Sequence, residues 1–211
     1  MLTDNNNNYI KDINPYLKYQ NENIKNDIIN FYLQYNQLKN IYRQGWIKNK
    51  FGSSFASKCE SIADHSFSIA ILCLTIIEKY NLDYDVLKCL KLCLIHEFGE
   101  VYAGDMTPKD NISKEEKHLL EETAIKKLLE SLNFTNDYFE IWQEYEAQET
   151  KEAVFVKELD TLEFLLQGTV YELDISTCKI SLPKIKTDIL KDIVKELLDL
   201  TEGKNKPIEM P

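Results

Sequence analysis

The sequence predicts an all-α fold. Only six Gly and five Pro punctuate 211 residues, apolar residues recur at three- and four-residue steps, and no stretch sustains the period-two alternation of a half-buried strand. At this length, with 44% hydrophobic residues, the chain supports one domain with a substantial core.

Taken in order, residues 1–20 read as a poorly ordered tail, its first eight residues with the tract Asn5–Asn8 having few apolar side chains to order them against a core. The domain runs over 21–200, and 201–211 form a second tail. Ile24, Ile28, Phe31, Tyr35, Leu38 and Tyr42 lie on one apolar face over five turns, a first helix ending at Arg43. Gln44–Cys59 carries Gly45, Gly52 and several serines, so it reads as a loop, with Trp46 and Phe51 as anchors. Ser61 with Asp64 three residues on marks a helix start. The following run Ile62–Ile77 is apolar nearly all round, which places that helix at the centre of the domain. Tyr84–Val101 is the next helix, then amphipathic Lys114–Leu132, Asn136–Gln148, Glu152–Gln167 and a C-terminal helix at about 187–200. The loop Gly104–Pro108 interrupts this series, and Leu173–Pro183 is irregular or briefly extended. The amphipathic Thr187–Leu200 helix offers a surface for a homodimer.

Charge and cysteine content narrow the function classes. A net charge of −10 and a pI near 4.9 argue against nucleic acid polymers, which need a basic surface to displace counterions. A small phosphorylated substrate stays compatible if a bound cation offsets the acidity. Cys59, Cys73, Cys89, Cys93 and Cys178 are odd in number and lack CxxC spacing. They read as reduced residues, mostly in the core, and the pair Cys89 and Cys93, one helical turn apart, as packing rather than metal ligation. Reduced thiols, no apolar run near the roughly 18 residues of a membrane span, and no secretory signal together lead to the expectation of a cytoplasmic protein with no membrane partner.

The chemistry concentrates at His96 and Glu97, adjacent groups at the end of the apolar run Val86–Ile95. Burying both is costly unless they pair or coordinate a metal. On a helix advancing about 100° per residue, Glu97 lies about 100° and Glu100 about 40° from His96, within one arc. Cys89, Leu92 and Cys93 continue that arc, so it faces inward. His65 shares a stripe with Ser61, Ile69 and Leu72, and Asp160 with Ala153, Val156 and Phe164, so both also face the interior. Two imidazoles and two carboxylates suit a divalent transition metal with open positions for water. The competing reading is a set of separate structural roles: a buried His donating to a carbonyl, and Asp160 paired with Lys157. It needs a partner for each group, whereas one ion satisfies all four. His118, within Lys114–Glu122, reads as solvated.

The order His65, His96-Glu97, Asp160 resembles the H…HD…D metal motif of the HD-domain phosphohydrolases, with Glu97 standing where the family carries Asp. The resemblance spans about 38–172 and is nearest to the HD-domain 5′-deoxynucleotidases, which dephosphorylate deoxynucleoside monophosphates. Arg43–Trp46, Glu60–His65, His96–Glu100, Gly104–Ile112, Lys114–His118 and Phe155–Asp160 carry it. It implies a single HD-domain helical bundle around a buried metal site, with the C-terminal helix packed outside.

It further implies a divalent cation (Mn, Co, Mg, Zn or Fe) held by His65, His96, Glu97 and Asp160, with Glu100 and Asp105 on the substrate side or touching a second ion. A metal there acidifies water for attack on phosphorus. Arg43 would neutralise the phosphoryl oxygens, and Glu100 would either help deprotonate water or protonate the departing 5′-oxygen. Asp105 would accept a hydrogen bond from a sugar hydroxyl. Trp46 would stack on base or sugar, or anchor its loop.

The expected activity is metal-dependent hydrolysis of (deoxy)nucleoside 5′-monophosphates to nucleoside and phosphate. The alternatives are a phosphodiesterase or pyrophosphohydrolase of a signalling nucleotide, and a degenerate HD protein used as a binding module. Two features depart from the family. Glu97 extends its carboxylate by about 1.5 Å relative to Asp, and the loop before Glu60 is long, with Phe51–Lys58 as an insertion beside the site.

Overall fold

Side-chain caps start several helices where the local sequence places them. Ser61 N donates to Asp64 Oδ2 at 2.8 Å and Asp64 N to Ser61 Oγ at 3.2 Å, a reciprocal cap for the long helix that follows. Ser113 and Glu116 form the same box, and Thr150 caps with its hydroxyl at Ala153 N. The structure, a computed structural model, describes residues 2–3, 9–10, 24–48, 59–130, 132, 136–171 and 182–201. Its helices are α1 (Asp27–Tyr35), α2 (Gln44–Trp46), α3 (Ile62–Tyr80), α4 (Val86–Ile95), α5 (Glu100–Ala103), α6 (Lys114–Leu129), α7 (Asn136–Ala147), α8 (Lys151–Val170) and α9 (Asp188–Thr201). Short 3-10 turns occupy Asn36–Lys39, Pro108–Asp110 and Leu182–Lys184. Within the expected N-terminal tail, strands β1 (Leu2–Thr3) and β2 (Tyr9–Ile10) pair antiparallel. Among the described residues the fold is all-α apart from that pair and one isolated bridge. No described helix is long and apolar enough to cross a membrane.

Backbone contacts group the chain into two units, Met1–Phe67 with Leu94–Glu146 and Ser68–Cys93 with Ala147–Pro211. In the first, the helix expected to run to Tyr42 stops at Tyr35. The backbone N–H groups of Asn40 and Ile41 turn back to the Gln37 carbonyl, while Arg43 N donates to Glu60 O at 3.1 Å and Ile62 N to Ile41 O at 2.9 Å. These bonds to a segment about twenty residues away make the bridge Tyr42↔Ser61 and replace helical ones. Ile28, expected on the apolar face, is 62% exposed. Phe31 and Tyr35 do pack, against a core of Leu38, Ile41, Ile62, Val101 and Leu128. A second cluster joins Ile95, Ile125, Leu129, Leu132 and Trp142.

In the second unit α9 packs on α8, and Leu190, Val194 and Leu197 are buried. Three residues of the apolar face that the sequence offers for a homodimer are thus buried inside this unit, while Leu200 is 51% exposed. Glu158 fixes the start of α9 by accepting the backbone N–H groups of Lys186 and Thr187 at 3.1 and 3.0 Å. Cys59, Cys73, Cys89 and Cys93 are buried thiols outside any disulfide; burial pushes the Cys59 thiol up to about 12, which disfavours a thiolate at neutral pH. Cys178, the Phe51–Lys58 insertion and most of Leu173–Pro183 lie outside the described residues.

Candidate metal centre

The segment bearing His96, Glu97 and Glu100 is not one regular helix. Instead of continuing through Val101, α4 ends at Ile95, and Phe98 N, Glu100 N and Val101 N each donate three residues back, at 2.9, 3.0 and 3.3 Å. These tight turns replace the regular 100° wheel expected for Glu97 and Glu100. Gly99 sits among them because α6 leaves no room for a side chain: a Cβ there would lie 2.8 Å from Glu121 Cβ. Gly104, at φ 75, then ends α5 and turns the chain into Asp105.

His65, in the first turns of α3, is fully buried, and His96 nearly so. Their Nε2 atoms stand 3.8 and 3.4 Å from the same oxygen, Glu97 Oε1. The three ligand atoms lie within 4.8 Å of one another. An ion about 2.0–2.2 Å from each donor needs them about 3–3.5 Å apart in tetrahedral or octahedral geometry. Modest side-chain movement therefore accommodates one cation, and the donor set fits a divalent metal. The extra methylene of Glu97 does not take its carboxylate away from the imidazoles.

Arg43, held by its backbone bond to Glu60, donates from Nη1 to Glu97 Oε1 at 3.3 Å, with Nε 4.0 Å from Glu60 Oε1. Trp46 is 4% exposed, and its indole N–H donates to Glu60 Oε1 at 2.8 Å, the anchoring contact anticipated for it. Asp105 Oδ2 accepts Gln44 N at 2.5 Å, which joins the Asp105 loop to the start of α2.

Opposite electrostatics act on the two glutamates. Burial works against an ionised Glu97, yet His96, Arg43 and His65 outweigh it and hold the carboxyl well below the usual range. Burial, reinforced by the negative charges of Glu97 and Asp105, drives Glu100 well above it despite Lys117 and Arg43. Glu100 Oε2 is buried with no hydrogen-bond partner among the described residues, so a proton there relieves an otherwise costly charge.

Sequence reading did not single out Lys117. Its Nζ lies 3.3 Å from Glu121 Oε1, and although burial opposes its charge, the fields of Glu100, Glu121, Glu97 and Asp105 raise its pKa. The i,i+4 spacing of Lys117 and Glu121 was the available signal. Glu60 and Gln44 were missed too, since their roles arise from partners distant in sequence. His118 pairs with Glu146 at 3.3 Å and stacks on Trp142, a half-solvated structural position. Asp160 belongs to the second unit, where its carboxylate is 3.2 Å from Lys157 Nζ, the pairing weighed from sequence.

Comparison with known proteins agrees with these features. The HD domain family model matches residues 35–199. The chain is 42% identical over 139 residues to 5′-deoxynucleotidase HDDC2 of Xenopus laevis, a match covering 64% of this chain and 65% of the relative. It is 33% identical over 174 residues to 5′-deoxynucleotidase YGK1 of Saccharomyces cerevisiae, covering 77% of each. A solved structure described as a predicted metal-dependent phosphohydrolase, from Magnetospirillum magnetotacticum, superposes with a TM-score of 0.65 at 26% identity, covering 83% of this chain and 94% of that one. The chain spans just under two thirds of the length of the frog protein. With a family match over most of its residues and the imidazole–carboxylate cluster inside it, this chain belongs to the HD domain family.

Proposed function

We propose that this protein is a metal-dependent phosphomonoesterase that releases phosphate from nucleoside 5′-monophosphates, with deoxynucleotides preferred. The observation that carries the reading is the convergence of His65 Nε2, His96 Nε2 and Arg43 Nη1 on one Glu97 oxygen. It combines a metal donor set with a guanidinium suited to phosphoryl oxygens. The name 5′-deoxynucleotidase, borne by relatives in frog and yeast, supports the substrate class.

His65, His96 and Glu97 would hold the cation, and the sequence motif alone would add Asp160 as a fourth ligand. Two imidazoles favour a transition metal such as Zn or Fe over Mg. When bound, the ion supplies Lewis-acid charge for the phosphoryl group and acidifies water at neutral pH.

The rest falls to the protein's own side chains. Arg43 neutralises the phosphoryl oxygens and orients the phosphorus. Glu100, protonated by its burial and acidic neighbours, is suited to give its proton to the departing 5′-oxygen rather than to act first as a base. Asp105, tied to Gln44 through Oδ2, would accept a sugar hydroxyl, and Trp46 would anchor the adjoining segment through Glu60. The four described thiols are reduced, in keeping with a cytoplasmic enzyme.

The test is phosphate release from a panel of deoxy- and ribonucleoside monophosphates, cyclic nucleotides and pyrophosphorylated nucleotides, each with Mn²⁺, Co²⁺, Mg²⁺ or Zn²⁺. Monophosphates should be hydrolysed in a metal-dependent manner, and His96→Ala or Asp160→Ala should abolish turnover. Robust turnover by either variant, or a preference for diesters or pyrophosphates, overturns the reading.

A further inference from the structure

Arg43 and Asp105 sit on segments about sixty residues apart in sequence, and side-chain contacts tie these segments together. Besides the Asp105–Gln44 bond, Lys48 Nζ reaches Asp110 Oδ1 and Oδ2 at 2.6 and 2.8 Å. Lys109 Nζ donates back to the Lys48 carbonyl at 2.9 Å. Asp110 is also held by its own turn: its Oδ2 accepts Thr107 N at 2.7 Å and Thr107 Oγ1 at 2.8 Å, and Asn111 follows in the left-handed region at φ 54. An ordinary exposed ion pair loses much of its energy to ordering two mobile side chains. Here the turn has already ordered the carboxylate, and the two amines reach in opposite directions between the segments.

We infer that the Lys48–Asp110 pair is a strap that sets the span between Arg43 and Asp105, and so positions a substrate gripped at its phosphate by one and at its sugar by the other. This rests on the roles proposed above for those two residues. Neither Lys48 nor Asp110 touches the reacting atoms; both are positioning residues. The strap matters only to a substrate that engages both ends at once. A phosphomonoester without a sugar, such as an aryl phosphate, uses Arg43 alone and is indifferent to it.

Steady-state kinetics of the full chain with a deoxynucleoside 5′-monophosphate and with p-nitrophenyl phosphate separate these cases. Lys48→Met should raise KM for the nucleotide about five-fold, equivalent to about 1 kcal/mol at 1.4 kcal/mol per decade, and leave its kcat within two-fold. KM for the aryl phosphate should not move, and Lys48→Arg should restore the nucleotide KM. Equal shifts for both substrates, or no shift for the nucleotide, overturn the inference.

Amide hydrogen exchange of the metal-loaded protein gives a readout independent of turnover. Lys48→Met should speed exchange in both 43–48 and 104–110, and unchanged exchange in either segment refutes the strap. If the wild-type chain hydrolyses no nucleotide, the functional reading fails, while exchange still decides whether the strap exists.

Discussion

Replacing Gly99 by Ala tests the packing that brings α6 against the metal-centre turns. Gly99 lies at φ −58 and ψ −30, ordinary right-handed helical geometry, so on backbone grounds alone the change should stabilise the protein by about 0.4–1 kcal/mol through the unfolded chain. The structure predicts the opposite sign. An added Cβ would stand 2.8 Å from Glu121 Cβ and 3.1 Å from both Glu121 Cα and Glu121 O. Two of these are backbone atoms, so no rotamer change relieves the contact.

Relief requires α6 to shift as a unit, against Ile125, Leu128 and Leu129, which are almost fully buried. Overpacking of this kind costs about 1–3 kcal/mol; at the middle of that range and of the backbone gain, a net loss of about 1–2 kcal/mol remains. For a chain of this size that lowers Tm by roughly 2–8 °C. Gly45→Ala is the control: nothing lies within 4 Å of a Cβ there, and its Tm should be unchanged or slightly raised. Thermal denaturation followed by circular dichroism reads both variants. A Gly99→Ala protein as stable as wild type, or more so, refutes the close-approach argument.

Glu121 supplies a pH-dependent test. Its carboxyl is raised from 4.5 to about 7, chiefly by burial, with the charges of Glu97 and Glu146 adding to it and Lys117 opposing. The stability associated with its neutral form is fully present below about pH 4.5 and is lost as pH rises through about 7. Glu121→Gln should therefore gain relative to wild type between pH 5 and pH 8, by up to about 3 kcal/mol at 1.36 kcal/mol per unit. Urea unfolding at the two pH values checks this, and an equal wild-type–variant difference at both defeats it. Trp46→Phe removes the indole donor to Glu60 Oε1 and should cost about 1–3 kcal/mol for the lost buried hydrogen bond, with a smaller added cost in a Glu60→Gln background. A loss under about 0.5 kcal/mol would mean that the indole bond does not anchor this segment.

What the sequence determined by itself is local. Ser61 with Asp64 and Ser113 with Glu116 mark helix starts because each cap closes within three residues, and the inward stripe of His65 follows from helical spacing within α3. The candidate ligands stand out for the same reason: charge-capable groups at apolar positions are conspicuous without knowledge of their partners.

The tertiary structure decided where local pattern yields to distant backbone bonds. Periodicity alone carries the first helix to Tyr42, but Ile41 and Arg43 pair with Ile62 and Glu60 instead, and this turns Arg43 toward Glu97. The close approach of Gly99 to Glu121, residues twenty-two apart, is likewise decided by the tertiary structure. Gln44 and Glu60 acquire their places at the site from such encounters, Gln44 with Asp105 and Glu60 with Arg43. No window along the chain contains both members of those pairs, so only folding reveals them.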